Sequence, residues 1–166
     1  MGIRKLVNFF VVINALVMFS VFVEPTVVFA KDNHSIAIEK LLAQTGYTFV
    51  DRSDATDAVW TIDFIGKSLP KYMVIITKAD DLVIAFVTVA EKNNVKLTPE
   101  AMQKLLQANF SYDKVKIGLG RNGDLSIRID QSIRITDLQE MKDNINQVAA
   151  AADELYALLT PYLIKK

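Results

Sequence analysis

Three strand-like runs stand close together in the middle of this chain: Val59 to Ile65, Tyr72 to Lys78 and Leu82 to Ala90. Only Gly66 to Pro70 and the corner Ala79-Asp80-Asp81 separate them. β-branched and aromatic residues are concentrated in all three, as in strands that pack on a half-buried surface. Parallel neighbours would need crossovers of a dozen or more residues, and these links are far shorter. The runs are therefore predicted to form an antiparallel meander, and every other element must pack on that sheet.

Helical periodicity flanks the meander. After a polar lead-in, Lys31 to Ser35, the residues Ile36, Ile38, Leu41 and Leu42 predict a short amphipathic helix stopped by Gly46. A strand or extended piece, Tyr47 to Val50, leads into an acidic loop, Asp51 to Asp57. Thr98 is placed to cap a second helix, with Pro99 at its first position and Glu100 near its positive end. That helix is predicted to run to about Phe110 and to bury Met102, Leu105 and Leu106. Lys114 to Leu119 and Leu125 to Asp130 read as a hairpin around Arg121-Asn122-Gly123. Thr136, with Gln139 three residues on, is predicted to cap a long closing helix that reaches about Leu163. The predicted order is α-β-β-β-α-β-β-α, an α+β domain with helices packed on an antiparallel sheet. No repeat or linker divides it, so residues 31–166 are expected to form one domain.

Residues 1–30 have a different character. Arg4 and Lys5 precede an apolar stretch from Leu6 to Val23; Glu24 and Pro25 end it, and Val28-Phe29-Ala30 supplies small residues where a signal peptidase reads. A secretory signal is predicted, cut between Ala30 and Lys31, with the mature chain periplasmic or secreted. An uncleaved anchor is the competing reading, because the apolar stretch is about long enough to span a bilayer. Pro25 ahead of a small-residue site favours cleavage. The chain has no cysteine, which excludes disulfides and a lipid anchor on cysteine and leaves stability to the core. Its 19 basic and 19 acidic residues balance, so charge argues for neither nucleic acid nor an anionic membrane surface. Membrane contact is expected only through a retained signal segment.

The strand runs differ in how they alternate. In the last one, Leu125, Ile127 and Ile129 oppose Ser126, Arg128 and Asp130, the pattern of a sheet with one wet side. The first three are apolar on both faces. One set reads Val59, Ile65, Met73, Ile75, Val83, Ala85, Val87 and Val89; the other reads Trp60, Ile62, Phe64, Val74, Ile76, Ile84 and Phe86. Either helices cover both faces, or one is left for a partner chain or an extended peptide. Val59, Ile65, Met73, Ile75, Val83 and Val87 are the candidate partner-binding residues.

Candidate chemistry elsewhere has simpler explanations. Gly118-Leu119-Gly120-Arg121-Asn122-Gly123 matches the dinucleotide fingerprint, but a strand follows it where the fingerprint needs a helix, so a hairpin turn is predicted. His34 is the only histidine and lies in the polar lead-in, leaving no metal cluster or catalytic triad around it. Asp51, Asp54 and Asp57 lack the spacing of a calcium loop. Asp63, in mid-strand, is expected to pair with Lys71 or Lys78, and Trp60 to be core. Lys114, Lys116, Arg121, Arg128 and Arg134 read as a solvated face with acidic residues interleaved. No catalytic residue, metal or cofactor is predicted, and the chain is read as not an enzyme.

The run Leu41-Leu42-Ala43-Gln44-Thr45-Gly46-Tyr47, the strand Leu82 to Val87, and Lys116 to Leu119 with Gly123 to Ile129 give this chain the pattern of the bacterial YbjN family, which it resembles over about residues 36–163. The resemblance implies the fold of type III secretion chaperones, often dimeric, in a family of regulators. Chaperones of that fold bind extended segments of other proteins on apolar patches; they are cytoplasmic, whereas this chain carries an export signal. The expectation is an exported, non-enzymatic, protein-binding module, chaperone-like or regulatory, whose partner is another protein, a peptide or a second copy in a homodimer. The alternative is a small-ligand domain with a pocket between the sheet and the closing helix, lined by Trp60, Phe64 and Phe86.

Overall fold

Asp32 opens the first helix. Its Oδ1 accepts from the Ser35 N–H at 2.9 Å, and α1 (Asn33–Thr45) ends at Gly46, whose φ of +86° suits a residue without a Cβ. The helix starts three residues before the first apolar position, so most of the stretch read as a polar lead-in is its first turn. Periodicity could not reveal this, because Asn33-His34-Ser35 has no apolar residue to repeat. His34 is held on that turn, its Nδ1 4.0 Å from the Asp81 carboxylate. The computed structural model describes residues 32–164; the predicted signal, 1–30, and the junction between Ala30 and Lys31 lie outside the described residues.

The other oxygen of Asp32, Oδ2, meets Lys78 Nζ at 2.7 Å. That hydrogen bond first, and the Ser35 N–H second, hold the Asp32 carboxyl at a pKa of about 2 against an ordinary 3.8. A carboxylate whose pKa is depressed on folding adds stability above its unfolded pKa and loses it as pH falls through the folded one. The stability lead of the wild type over Asp32→Asn, which keeps a capping oxygen but has no charge, is therefore expected to be constant above about pH 5 and to fall progressively to nothing by about pH 1. Urea titrations of both proteins across that interval measure it. A lead that does not change with pH would mean that the Lys78 pair contributes nothing.

The strands form one six-stranded antiparallel sheet in the order β1-β2-β3-β4-β6-β5, comprising β1 (Val50–Asp51), β2 (Val59–Phe64), β3 (Tyr72–Ala79), β4 (Leu82–Ala90), β5 (Lys116–Leu119) and β6 (Leu125–Ser132). The meander and the final hairpin form as expected, and the extended piece after Gly46 contributes the short edge strand β1. Gly123, at φ +87°, makes the β5–β6 turn, and Gly120 N–H donates to Asp124 C=O at 2.8 Å to close it. The glycine-rich run is thus a hairpin.

Between β3 and β4 the turn holds only two residues, Asp80 and Asp81, with Ala79 opposite Leu82. Residues facing each other across a two-residue turn share a side of the sheet although one number is odd and the other even. Ile76 therefore lies opposite Ala85, and Lys78 opposite Val83. The sequence reading kept odd numbers together across this turn, which put β4 one residue out of phase. Val83, at 3 % exposure, and Val87, at 1 %, belong to the buried side with Trp60, Ile62, Val74 and Ile76. Ile84 and Phe86 point the other way.

Both later helices cover the buried side. In α2 (Pro99–Ser111), Thr98 accepts from the Ala101 N–H and Pro99 takes the first position, as expected; only Ala101 and Leu105 are buried, while Met102, Leu106 and Phe110 are exposed. The cap of α3 (Leu138–Leu159) is Asp137, not Thr136: Asp137 accepts from the Glu140 N–H at 2.8 Å, and Thr136 Oγ1 donates instead to the Ser132 C=O. The helix gives way to a single 3₁₀ turn at Thr160–Tyr162. Met141, Ile145, Val148, Ala152, Leu155 and Leu159 press its apolar stripe onto β3, β4 and β6, and Ile38 and Leu42 of α1 complete that core beside it. Small Ala149, Ala151 and Ala152 allow the helix a close approach. Its Asp153 accepts backbone N–H bonds from Lys67, Ser68 and Leu69, which ties the β2–β3 loop to the helix.

Candidate functional site

Among the described residues, no helix covers the side of the sheet away from α3. Directly opposed residues place Thr61, Ile75, Phe86, Arg128 and Lys116 in one row across β2, β3, β4, β6 and β5. A second row runs Val59, Thr77, Ile84, Asp130. No residue of either row is buried, whereas the alternate positions Trp60, Ile62, Val74, Ile76, Ala85, Val87, Ile127 and Ile129 all are. The arrangement is one layer of helices on one face of a sheet, with the second face apolar across β3 and β4 and charged over β5 and β6.

Of the six residues singled out from the sequence, the sheet brings Val59, Met73 and Ile75 together on this open side. Ile65 follows the end of β2 and is 87 % exposed. Val83 and Val87 lie on the opposite face, under α3. Ile84 and Phe86 replace them at the surface, and the two-residue turn was the signal in the sequence that would have found them. The same phase error joined Phe86 to Trp60 and Phe64 in a pocket under the closing helix. Trp60 and Phe64 face inward and Phe86 outward, so that trio lines nothing in common.

A groove of about 580 Å³ lies on the open side, with Thr77, Ile84 and Phe86 on one flank and Lys116, Gly118, Ser126 and Arg128 on the other. Lys116 Nζ and an Arg128 guanidinium nitrogen converge on Asp130 Oδ2, at 3.0 and 3.1 Å. Elsewhere on this side Asp63 pairs with Lys71 at 3.7 Å, one of its two expected partners; Lys78 is engaged by Asp32. A smaller apolar cleft of about 150 Å³ separates α2 from β5, with Met102, Leu106 and Leu119 at its mouth and Phe110 standing clear at 91 % exposure.

The acidic loop before β2 folds onto itself. Asp54 accepts from the backbone N–H groups of Thr56 and Asp57 and from the Thr56 hydroxyl, which lowers its carboxyl pKa, and Asp51 accepts from the Ser53 N–H. Among the described residues no three His, Asp or Glu side chains are grouped so as to hold a metal ion.

With this geometry in place, the chain can be compared with known proteins. A family model described as "YbjN: Putative bacterial sensory transduction regulator" matches residues 36–160. The chain belongs to the YbjN family. The crystal structure of YbjN from E. coli superposes with a TM-score of 0.53 at 14 % identity, covering 80 % of this chain and 96 % of that one, so the two share a fold. A chain of the ExoU–SpcU heterodimer from the type III secretion system of Pseudomonas aeruginosa gives a TM-score of 0.48 at 21 % identity, over 76 % of this chain and 97 % of that one. No curated protein matches. The expected YbjN-like α+β fold is thus the observed one.

Proposed function

We propose that this YbjN-family member is an exported, non-enzymatic module that binds another protein, in a regulatory or chaperone-like capacity, through the open side of its sheet. The observation that carries this reading is the absence of any buried residue in the two rows from Val59 to Asp130 and from Thr61 to Lys116. An apolar strip of Ile75, Ile84 and Phe86 left uncovered by the described helices is a surface for a partner. The family description, a sensory transduction regulator, supports a role exerted on another protein. For export, the support is the layout of residues 1–30, together with the place of Asp32 two positions after Ala30. A cut there leaves the cap of α1 and every described element intact.

Selection from a displayed random-peptide library on the purified chain tests the binding side. Binders are expected to lose at least about tenfold in affinity for Phe86→Asp, the effect of removing about 1.4 kcal/mol of contact. They should bind Ile36→Asp as well as wild type, because Ile36 is exposed on α1, away from the open side. Equal binding to both variants would place the site elsewhere. Fractionation of cells expressing the chain, with the intact mass of the product, tests export: a protein outside the cytoplasm that begins at Lys31 is expected, and a full-length cytoplasmic one would overturn it.

A further inference from the structure

The groove on the open side has unequal ends. At the β3–β4 side it is lined by Ile84, Phe86 and Thr77, whose hydroxyl is engaged in donating to the Ala58 C=O at 2.9 Å. At the β6–β5 side stand Arg128, directly opposite Phe86, and Lys116, directly opposite Arg128. Asp130 fixes both cations, but its side chain is only 11 % exposed and does not line the groove. One carboxylate below and two cations above leave one positive charge in excess where the apolar floor ends. Gly118 keeps the β5 flank open: a Cβ built at that position meets no atom within 4 Å.

We propose that this groove receives an extended protein segment in which an acidic residue is flanked by apolar ones, its carboxylate against Arg128 and Lys116 and its alternate apolar side chains over Phe86 and Ile84. The proposal rests on the protein-binding reading above and adds the chemistry of the partner. Charge complementarity selects the acid. An all-apolar or basic segment would cover two cations that share the single Asp130 carboxylate, leaving one positive charge with no anion to offset its lost hydration. An added carboxylate instead meets the Arg fork in charge-assisted hydrogen bonds. Spacing favours an extended chain. Ile84 and Phe86 lie two residues apart on one strand, about 7 Å, which is the repeat of same-side positions in an extended segment. The groove's volume also lies within the usual range of binding clefts, roughly 300–1,000 Å³.

The test uses the library-selected peptides that depend on Phe86. These are expected to be enriched in Asp or Glu beside apolar residues, and their Gln counterparts to bind at least about tenfold more weakly, the scale of one charge-assisted hydrogen bond. The double variant Lys116→Gln/Arg128→Gln is expected to bind the acidic and the Gln peptides alike. Gly118→Val, which places a side chain in open space within the groove, is expected to reduce binding of both without lowering thermal stability. Phe86-dependent peptides with no acidic enrichment, equally tight as Gln forms, would overturn the proposal and leave the binding side standing. Peptides indifferent to Phe86 would overturn both. Direct binding of an anionic amphiphile such as dodecanoate to the wild type and not to Lys116→Gln/Arg128→Gln, while acidic peptides fail to bind, would replace the protein segment by a small ligand and so overturn the proposal as well.

Discussion

Replacing Trp60 with alanine is expected to destabilise the fold by about 3–5 kcal/mol, the range for truncating a fully buried large aromatic. A domain of this size has about 5–15 kcal/mol in total, so the variant should be close to unfolding at room temperature. The physical reason is its position. Trp60 is completely buried on β2, directly opposite Ile76, on the side of the sheet that the helices cover. Removing it leaves a cavity that the neighbouring strands cannot close without breaking their ladder. Urea unfolding followed by far-UV circular dichroism should show a midpoint lowered by roughly 2 M, given an ordinary denaturant slope. Circular dichroism is required because Trp60 is the only tryptophan and its fluorescence disappears with it. Ile65→Ala supplies the contrast. At 87 % exposure its loss should fall within about 0.5 kcal/mol of wild type. Equal effects at the two positions would mean that Trp60 is not a buried core residue.

What could be read in the sequence, and what could not, divides along a physical line. Local signals survived. Thr98 with Pro99 started α2, Gly46 stopped α1, and Asn122-Gly123 turned β5 into β6, because each acts through its own backbone geometry. Signals that depend on a neighbour did not survive. The stripe of α2 pointed to burial of Met102 and Leu106, yet the helix packs chiefly against β5 and part of α3, and both residues stay exposed. At α3 two adjacent residues could serve as caps. Asp137 with Glu140 prevailed over Thr136 with Gln139, and Thr136 bonds back to Ser132 instead. The candidate binding side was half legible. Two-sided apolar strands showed that each face of the meander needed a cover and left open whether helices or a partner supplied it; which residues of β4 belonged to which face depended on the parity of a two-residue turn.

That parity makes its own strong prediction on two adjacent residues. Val87→Asp is expected to abolish the folded state, whereas Phe86→Asp is expected to fold. Val87 is 1 % exposed and lies opposite Ile127 on the helix-covered face, so a carboxylate there is buried among aliphatic side chains with no cation opposite it. Stranding a charge in that setting costs at least about 4 kcal/mol beyond the lost apolar burial, which takes most of a typical domain's stability. One residue earlier the outcome reverses. Phe86 is half-buried on the open side, directly opposite Arg128, so a carboxylate at that position remains hydrated and gains a cation as its cross-strand neighbour. Circular dichroism with thermal melting distinguishes the two variants in a single experiment, and light scattering of the folded one reports whether wild-type association, if any, uses this side. A cooperative melt for Val87→Asp beside an unfolded Phe86→Asp would reverse the phase of β4. Val83 and Val87 would then return to the binding face, and the groove between Phe86 and Arg128 would lose its floor.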